Sequence, residues 1–242
     1  MNRAMLREVL GSAQVLLGED WDLAGSGRSP ILVRRPVGWW VQFIYHETGA
    51  GGNLVSYGGL LAKPLPASEA GDAGVSVGDA FRKARVDLRG SLSPESVAKL
   101  AVLSDELVFL REGDLHQGLE YSELRRSIWI EKGKDHRIYR GSSRHLLVMR
   151  RVLMGSRSRD DLIGDVRWVL EEGDRGLDNY GLRIPGVTNR EFFGGLLANL
   201  ETADRAGLND LLLSTRKHSL EGLGIPEEMI ADVDVPEPLV AW

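Results

Sequence analysis

Along residues 1–17 the apolar positions recur at helical spacing. Met5, Leu6, Val9, Leu10, Ala13, Leu16 and Leu17 fall one, three or four apart, which gathers them on one face of an amphipathic helix. Gly18 follows where a left-handed C-terminal cap is expected. From Trp21 to Leu61 the period changes. Ile31–Arg35, Trp39–Tyr45 and Leu54–Leu61 are rich in β-branched and aromatic residues and predict strands. Turn signals separate them at Gly25-Ser26-Gly27, Pro36-Val37-Gly38 and Gly49-Ala50-Gly51-Gly52-Asn53. Connections this short force neighbouring strands to run antiparallel, so the segment predicts a meander. On the central strand Trp39, Val41, Phe43 and Tyr45 share one face, expected to be core. Trp40, Gln42, Ile44 and His46 share a mixed face, expected to be covered only in part.

Pro64–Gly78 is short of large apolar side chains and reads as a linker. Beyond it helical signals dominate. Ser93-Pro94 is a cap followed by proline at the first helical position, leading into Val97, Leu100, Ala101, Leu107 and Val108. Leu124–Glu131, with Ile128, Trp129 and Ile130, fits either period and reads better as a strand. Ser142 or Ser143 caps a helix through Met154, closed by Gly155. Ser158 caps the next, where Asp160 and Asp161 suit the positive helix start and Leu162, Ile163, Val166, Val169 and Leu170 form the apolar stripe. Further helices carry Phe192, Phe193, Leu196, Leu197 and Leu200 from about Thr188, then Leu208, Leu211 and Leu212, and Pro226 opens a short last one. Glu227–Glu237 holds five acids and no base, which predicts a solvated tail. The expected fold class is α+β: an N-terminal helix and antiparallel meander over 1–63, a linker over 64–80, and a mainly helical region over 81–242 packed on the first.

Composition narrows the class without naming an activity. With 43% apolar and 27% charged residues the chain sits near the average for soluble globular proteins, which excludes collagen-like and long disordered sequences. The absence of cysteine removes disulfides, thiolate zinc sites, iron–sulfur clusters and cysteine nucleophiles. Charges at Arg3, Arg7 and Glu8 interrupt any signal-like apolar core, and no window approaches a membrane span. A soluble, cytoplasmic protein with no membrane association is expected.

Candidate chemistry is sparse. There is no phosphate-binding loop of the G-x-x-x-x-G-K-[ST] kind and no G-x-S-x-G elbow. The glycine run at 49–53 lies between strands, whereas a dinucleotide fingerprint needs a helix after it. None of His46, His116, His136, His145 and His218 lies three or four residues from another, so no helix face presents a ready metal pair. Glu131 is followed by Lys132 and Lys134, whereas a D…[DE]-x-K nuclease site needs the lysine two residues on, along one strand face. Asp160, Asp161 and Asp165 read as helix-start and polar-face residues. The sequence therefore singles out no catalytic, cofactor-binding or metal-binding residue, and no cofactor is expected.

Charge asymmetry is the one feature above background. Lys132–Arg159 holds nine bases and one acid, while the rest of the chain holds 21 bases and 34 acids. Arg137, Arg140, Arg144, Arg150, Arg151, Arg157 and Arg159 are the candidate partner-binding residues, because the planar guanidinium fork suits carboxylate and phosphate. Tyr139 could stack on a base or pack inward. The competing reading is that acids elsewhere in the chain neutralise these arginines internally. A net charge of −5 and a pI near 5.6 argue against nonspecific DNA binding. The expected function is a non-catalytic interaction protein of accessory, adaptor or immunity-like kind that binds an acidic partner surface. The alternatives are a nucleic-acid-contacting subunit of a larger assembly and, behind it, a His/carboxylate hydrolase. A basic patch with an exposed apolar centre would favour the protein partner.

Overall fold

Helix α1 (Arg3–Leu17) buries the middle of the face read from its spacing: Leu10 and Ala13 are buried and Leu6, Val9 and Leu17 pack beside them, whereas Met5 and Leu16, expected on the same face, are exposed. Gly18 ends it at φ +77°, a left-handed conformation that any Cβ would strain. In the computed structural model, residues 3–25, 30–48, 54–62, 74–76, 93–110, 113–132, 142–171 and 188–241 are described.

The meander is a five-stranded antiparallel sheet in sequential order: β1 (Trp21–Ala24), β2 (Ile31–Arg34), β3 (Trp40–Thr48), β4 (Leu54–Ala62) and β5 (Gly74–Ser76). β1 and β5 extend it beyond the three strands expected. β5 pairs with β4 from within the stretch read as a linker, setting Leu60 opposite Val75. Leu32 lies opposite Ile44 and Val33 opposite Phe43, so the two faces keep step across β2 and β3.

On the mixed face of β3 the apolar positions are fully covered, Gln42 is half-buried, and the His46 side chain lies outside those described. Trp40 and Ile44 are buried in the main core, while Val41 and Phe43 are buried in a second core with Leu220, Leu223, Ile225 and Met229. A sheet packed on both sides needs apolar residues at every position, and only Gln42 departs from that between Trp39 and Ile44. The main core is continuous from Leu10, Trp21 and Leu32 to Val148, Val166, Phe193 and Leu212. The fold is α+β.

Seven α-helices lie among the described residues; two begin at the expected caps Ser93 and Ser158, one begins at Thr188 as expected, and Ser142, read as a cap, is the first residue of its helix. α2 (Pro94–Ser104) starts in a reciprocal box between Ser93 and Ser96, and a π-type turn (Asp105–Phe109) follows it. α3 (Leu115–Glu131) starts at Asp114, whose carboxylate accepts from the Gln117 N–H at 2.8 Å. It takes in Leu124–Glu131, so the expected strand there is a helix. Its apolar residues face two ways, Leu119 inward and Leu124 outward, which hides the helical period. α4 (Ser142–Met154) ends at Gly155, φ +50°. α5 (Arg159–Leu170) is capped by Ser158, α6 (Asn189–Glu201) by a box between Thr188 and Glu191, and α7 (Arg205–Gly222) by Asp204. Each such cap contributes about 1 kcal/mol.

The acidic C-terminal segment is not a free tail. Ile230 forms a parallel bridge with Val37, Met229 is buried, and Val233 and Val235 pack on the main core. Leu239 and Val240 donate their N–H groups to the carbonyls of Met154 and Gly155 at 3.0 and 2.9 Å. Asp232, Asp234 and Glu237 are exposed, so counting charge masks the apolar positions between them.

Candidate functional site

Helix α4 is buried from Arg144 to Met154, with apolar residues at 146–149 and 152–154 leaving no polar side. The arginines within that run therefore face protein, and each has bonding groups around it. The Arg144 guanidinium lies 4.1 Å over the Trp168 ring and donates to the Trp168 carbonyl at 3.0 Å. That of Arg150 lies 4.4 Å over Trp40 and donates to the Gly118 carbonyl and the Ser122 hydroxyl of α3. Both contacts exploit the weak hydration and flat face of guanidinium.

Arg151, with no exposed side-chain surface, is the centre of a charged network. Its Nε and Nη2 donate to the two Glu123 carboxylate oxygens at 2.7 Å each, and its Nη1 donates to Asp165 at 2.8 Å. The fork thus joins α3, α4 and α5. Arg157, about one-third exposed, approaches the same acids at 3.8 and 3.7 Å. Asp165 is an inward ligand of this cluster, not the plain polar-face residue its sequence position suggests. Arg159 is partly exposed at the start of α5, and Arg137 and Arg140 lie outside the described residues.

The two acids of the cluster differ. Burial pushes the Glu123 carboxyl up, but the hydrogen bonds and charge of Arg151, helped by Arg157 and Arg126, outweigh it and hold its pKa below the ordinary value. Asp165 is more enclosed, and burial there outweighs the pull of Arg151 and Arg157 to leave its pKa raised. Burial alone would lower Arg151, yet both carboxylates raise it further, so its charge is permanent.

The histidines do not converge in any described site. His145 is buried with its ring 5.4 Å from Phe193, whereas His116 and His218 are exposed on α3 and α7. The His46 side chain and His136 lie outside those described. Among the described residues, no group of three His, Asp or Glu side chains is placed to hold a metal. A second polar cluster, unforeseen from sequence, fastens the π-type turn to the sheet. There Arg34 meets Asp105 at 3.1 Å and Gln42 at 3.3 Å, and Gln42 donates to the Phe109 carbonyl at 3.4 Å.

Opposite the Arg150 and Arg151 contacts, α3 presents apolar side chains to solvent. Leu124 is 55% exposed and Ile128 39%, whereas Ile130, 45% exposed, lies on the Glu123 side near the end of the helix. Half-buried Tyr121 continues the Leu124–Ile128 stripe at helical spacing, with the Arg125 guanidinium 5.8 Å over its ring. Exposed Arg125 and Lys132 border the stripe, as do Glu120 and Glu131. No described helix is long and apolar enough to cross a membrane. No protein-family model, curated protein or solved structure matches this chain.

Two outcomes follow from the network. Arg144→Glu with Arg151→Glu is expected to lower unfolding stability by about 3–5 kcal/mol in urea melts, because a carboxylate at 151 then faces Glu123 and Asp165 and one at 144 is buried against the Trp168 ring and carbonyl. An unchanged midpoint would show that these arginines are dispensable to the fold. Because the folded Glu123 pKa is depressed, its contribution is complete above the unfolded value of about 4.3 and disappears as pH falls through the folded value. The stability gap between wild type and Glu123→Gln is therefore expected to be widest at neutral pH and to close on acidification, as read from melts at stepped pH.

Proposed function

We propose that the protein is a non-catalytic interaction component, of accessory, adaptor or immunity-like kind, that engages an acidic partner protein in the cytoplasm. The observation that carries this reading is the solvent-facing stripe of Tyr121, Leu124 and Ile128 beside Arg125 and Lys132. An exposed apolar centre with cations at its edge suits a protein partner better than a nucleic acid, which needs a broad basic field. In this reading the seven arginines divide by role. Arg150 and Arg151 hold α3 rigid from behind, so the outer face meets its partner without ordering first. Arg157 and Arg159 reach solvent in part, and Lys134, Arg137 and Arg140 follow α3 directly in the chain. These charges steer and orient an acidic surface.

The test pairs Leu124→Glu with Ile128→Glu and follows both capture and melting. Exposed substitutions of this kind shift stability by only about 0.5 kcal/mol. The expected result is an acidic protein, identified by mass spectrometry, captured by wild type and lost from the variant, with the melt unmoved. Arg157→Glu with Arg159→Glu should weaken the same capture most at low salt. Undiminished capture by Leu124→Glu/Ile128→Glu would sink the proposed surface, and retention of short RNA or DNA by wild type alone would favour a nucleic-acid role.

A further inference from the structure

Residues 231–238 cross the body of the protein with no helix or strand of their own. Their seat is built largely from side-chain donors. Trp39 Nε1 donates to the Asp234 carbonyl at 3.3 Å, Arg216 to that of Ala231 at 3.0 Å and Arg205 to that of Pro236 at 2.9 Å. Arg216 also donates to the Val37 and Gly38 carbonyls at 3.0 Å each, which fixes its guanidinium at the mouth of the β2–β3 turn. Between these bonds Val233 and Val235 point to the main core, while Asp232 and Asp234 point outward.

The two ends of the segment are pinned by backbone. Val37 donates to Met229 at 2.8 Å and receives from Ala231 at 3.0 Å, and Leu239 and Val240 close on the end of α4. Pro238 sits so near Gly155 that a Cβ there would come within 2.4 Å of its own Cβ, so the glycine makes room for the strap. The strap's acids also match the seat in charge. Burial lowers the pKa of the Arg216 and Arg205 guanidinium groups, and Asp232 and Glu237 respectively oppose that. A seat that reads main-chain carbonyls, alternate apolar side chains and negative charge is the kind that accepts an extended peptide.

We propose that this seat is a peptide-binding groove, occupied in cis by the chain's own C-terminal strap and open in trans to an extended acidic peptide with apolar residues at alternate positions. The α3 surface takes no part, and the inference rests on the acidic-partner reading only for the charge of the ligand. Tethering gives the strap a high effective concentration, so a free peptide competes only when the strap is weakened or released. The strap thereby acts as a built-in competitor that sets the threshold for partner peptides.

The experiment uses the full chain and, as probe, a fluorescein-labelled peptide with the sequence of residues 229–241. Val233→Asp with Val235→Asp weakens the strap and leaves the seat intact. Anisotropy titration is expected to show this variant binding the probe about tenfold more tightly than wild type, because the occupying strap no longer reduces the competent fraction. A probe with Asp232→Asn, Asp234→Asn and Glu237→Gln should bind severalfold more weakly. Equal probe affinity for wild type and a folded variant would overturn the proposal. Hydrogen exchange on wild type covers the case in which the variant fails to fold. The Ala231, Leu239 and Val240 amides should exchange roughly a hundredfold faster than those of Val148 and Met149, since the strap must open by itself. Matching rates would mean it opens only with the whole fold, which contradicts a displaceable occupant. Loss of capture through α3 with probe binding intact would sink the surface reading alone.

Discussion

A fully buried guanidinium needs its charge answered within a few ångströms, and the fork of Arg151 is answered from two different helices. Glu123 takes both nitrogens of one edge, and Asp165 takes the third. Because each acid belongs to a separate helix, their simultaneous contact fixes how α3 and α5 sit on α4. Arg150 and Arg144 extend the same logic along α4 by stacking on Trp40 of the sheet and Trp168 of α5. The arginine run is therefore internal wiring for most of its described length. What it leaves at the surface is the outer side of α3, held from behind and apolar at its centre.

This arrangement separates stability from recognition. Changes at Arg151 act on the fold, and changes at Leu124 act on what the fold presents. The strap shows the same division on another side of the molecule. Its valines pack on the core, whereas its acids face solvent and act on Arg205 and Arg216 through their charge.

Much of the fold was legible in the sequence because local signals agreed with the tertiary result. The inner positions of α1, the caps at Ser93 and Ser158, the helix start at Thr188 and the antiparallel run of strands all rest on neighbours within a few residues. Three readings failed for want of long-range information. α3 buries Leu119 and exposes Leu124 and Ile128, so neither period stands out. Glu227–Glu237 looks solvated by charge, while the pairing of Ile230 with Val37 spans nearly the whole chain. Arg144, Arg150 and Arg151 look like surface by composition. The apolar residues surrounding them on α4 were the available signal, since a helix with no polar side places its charges inside. Their partners, Glu123 and Asp165, carried no signal at all.

The central claim is that the arginine run of α4 works inward, through Arg151 and its carboxylates. A double-mutant cycle measures that directly, with Arg151→Met and Glu123→Gln made singly and together and unfolded in urea at neutral pH. The geometry predicts a coupling of about 1 kcal/mol or more, because the Arg151–Glu123 pair is lost in either single variant and so counts only once in the double, while the loss at Asp165 follows Arg151→Met in both backgrounds. Additive effects, with a coupling indistinguishable from zero, would contradict the account and return Arg151 to the solvent-facing role its sequence position suggests.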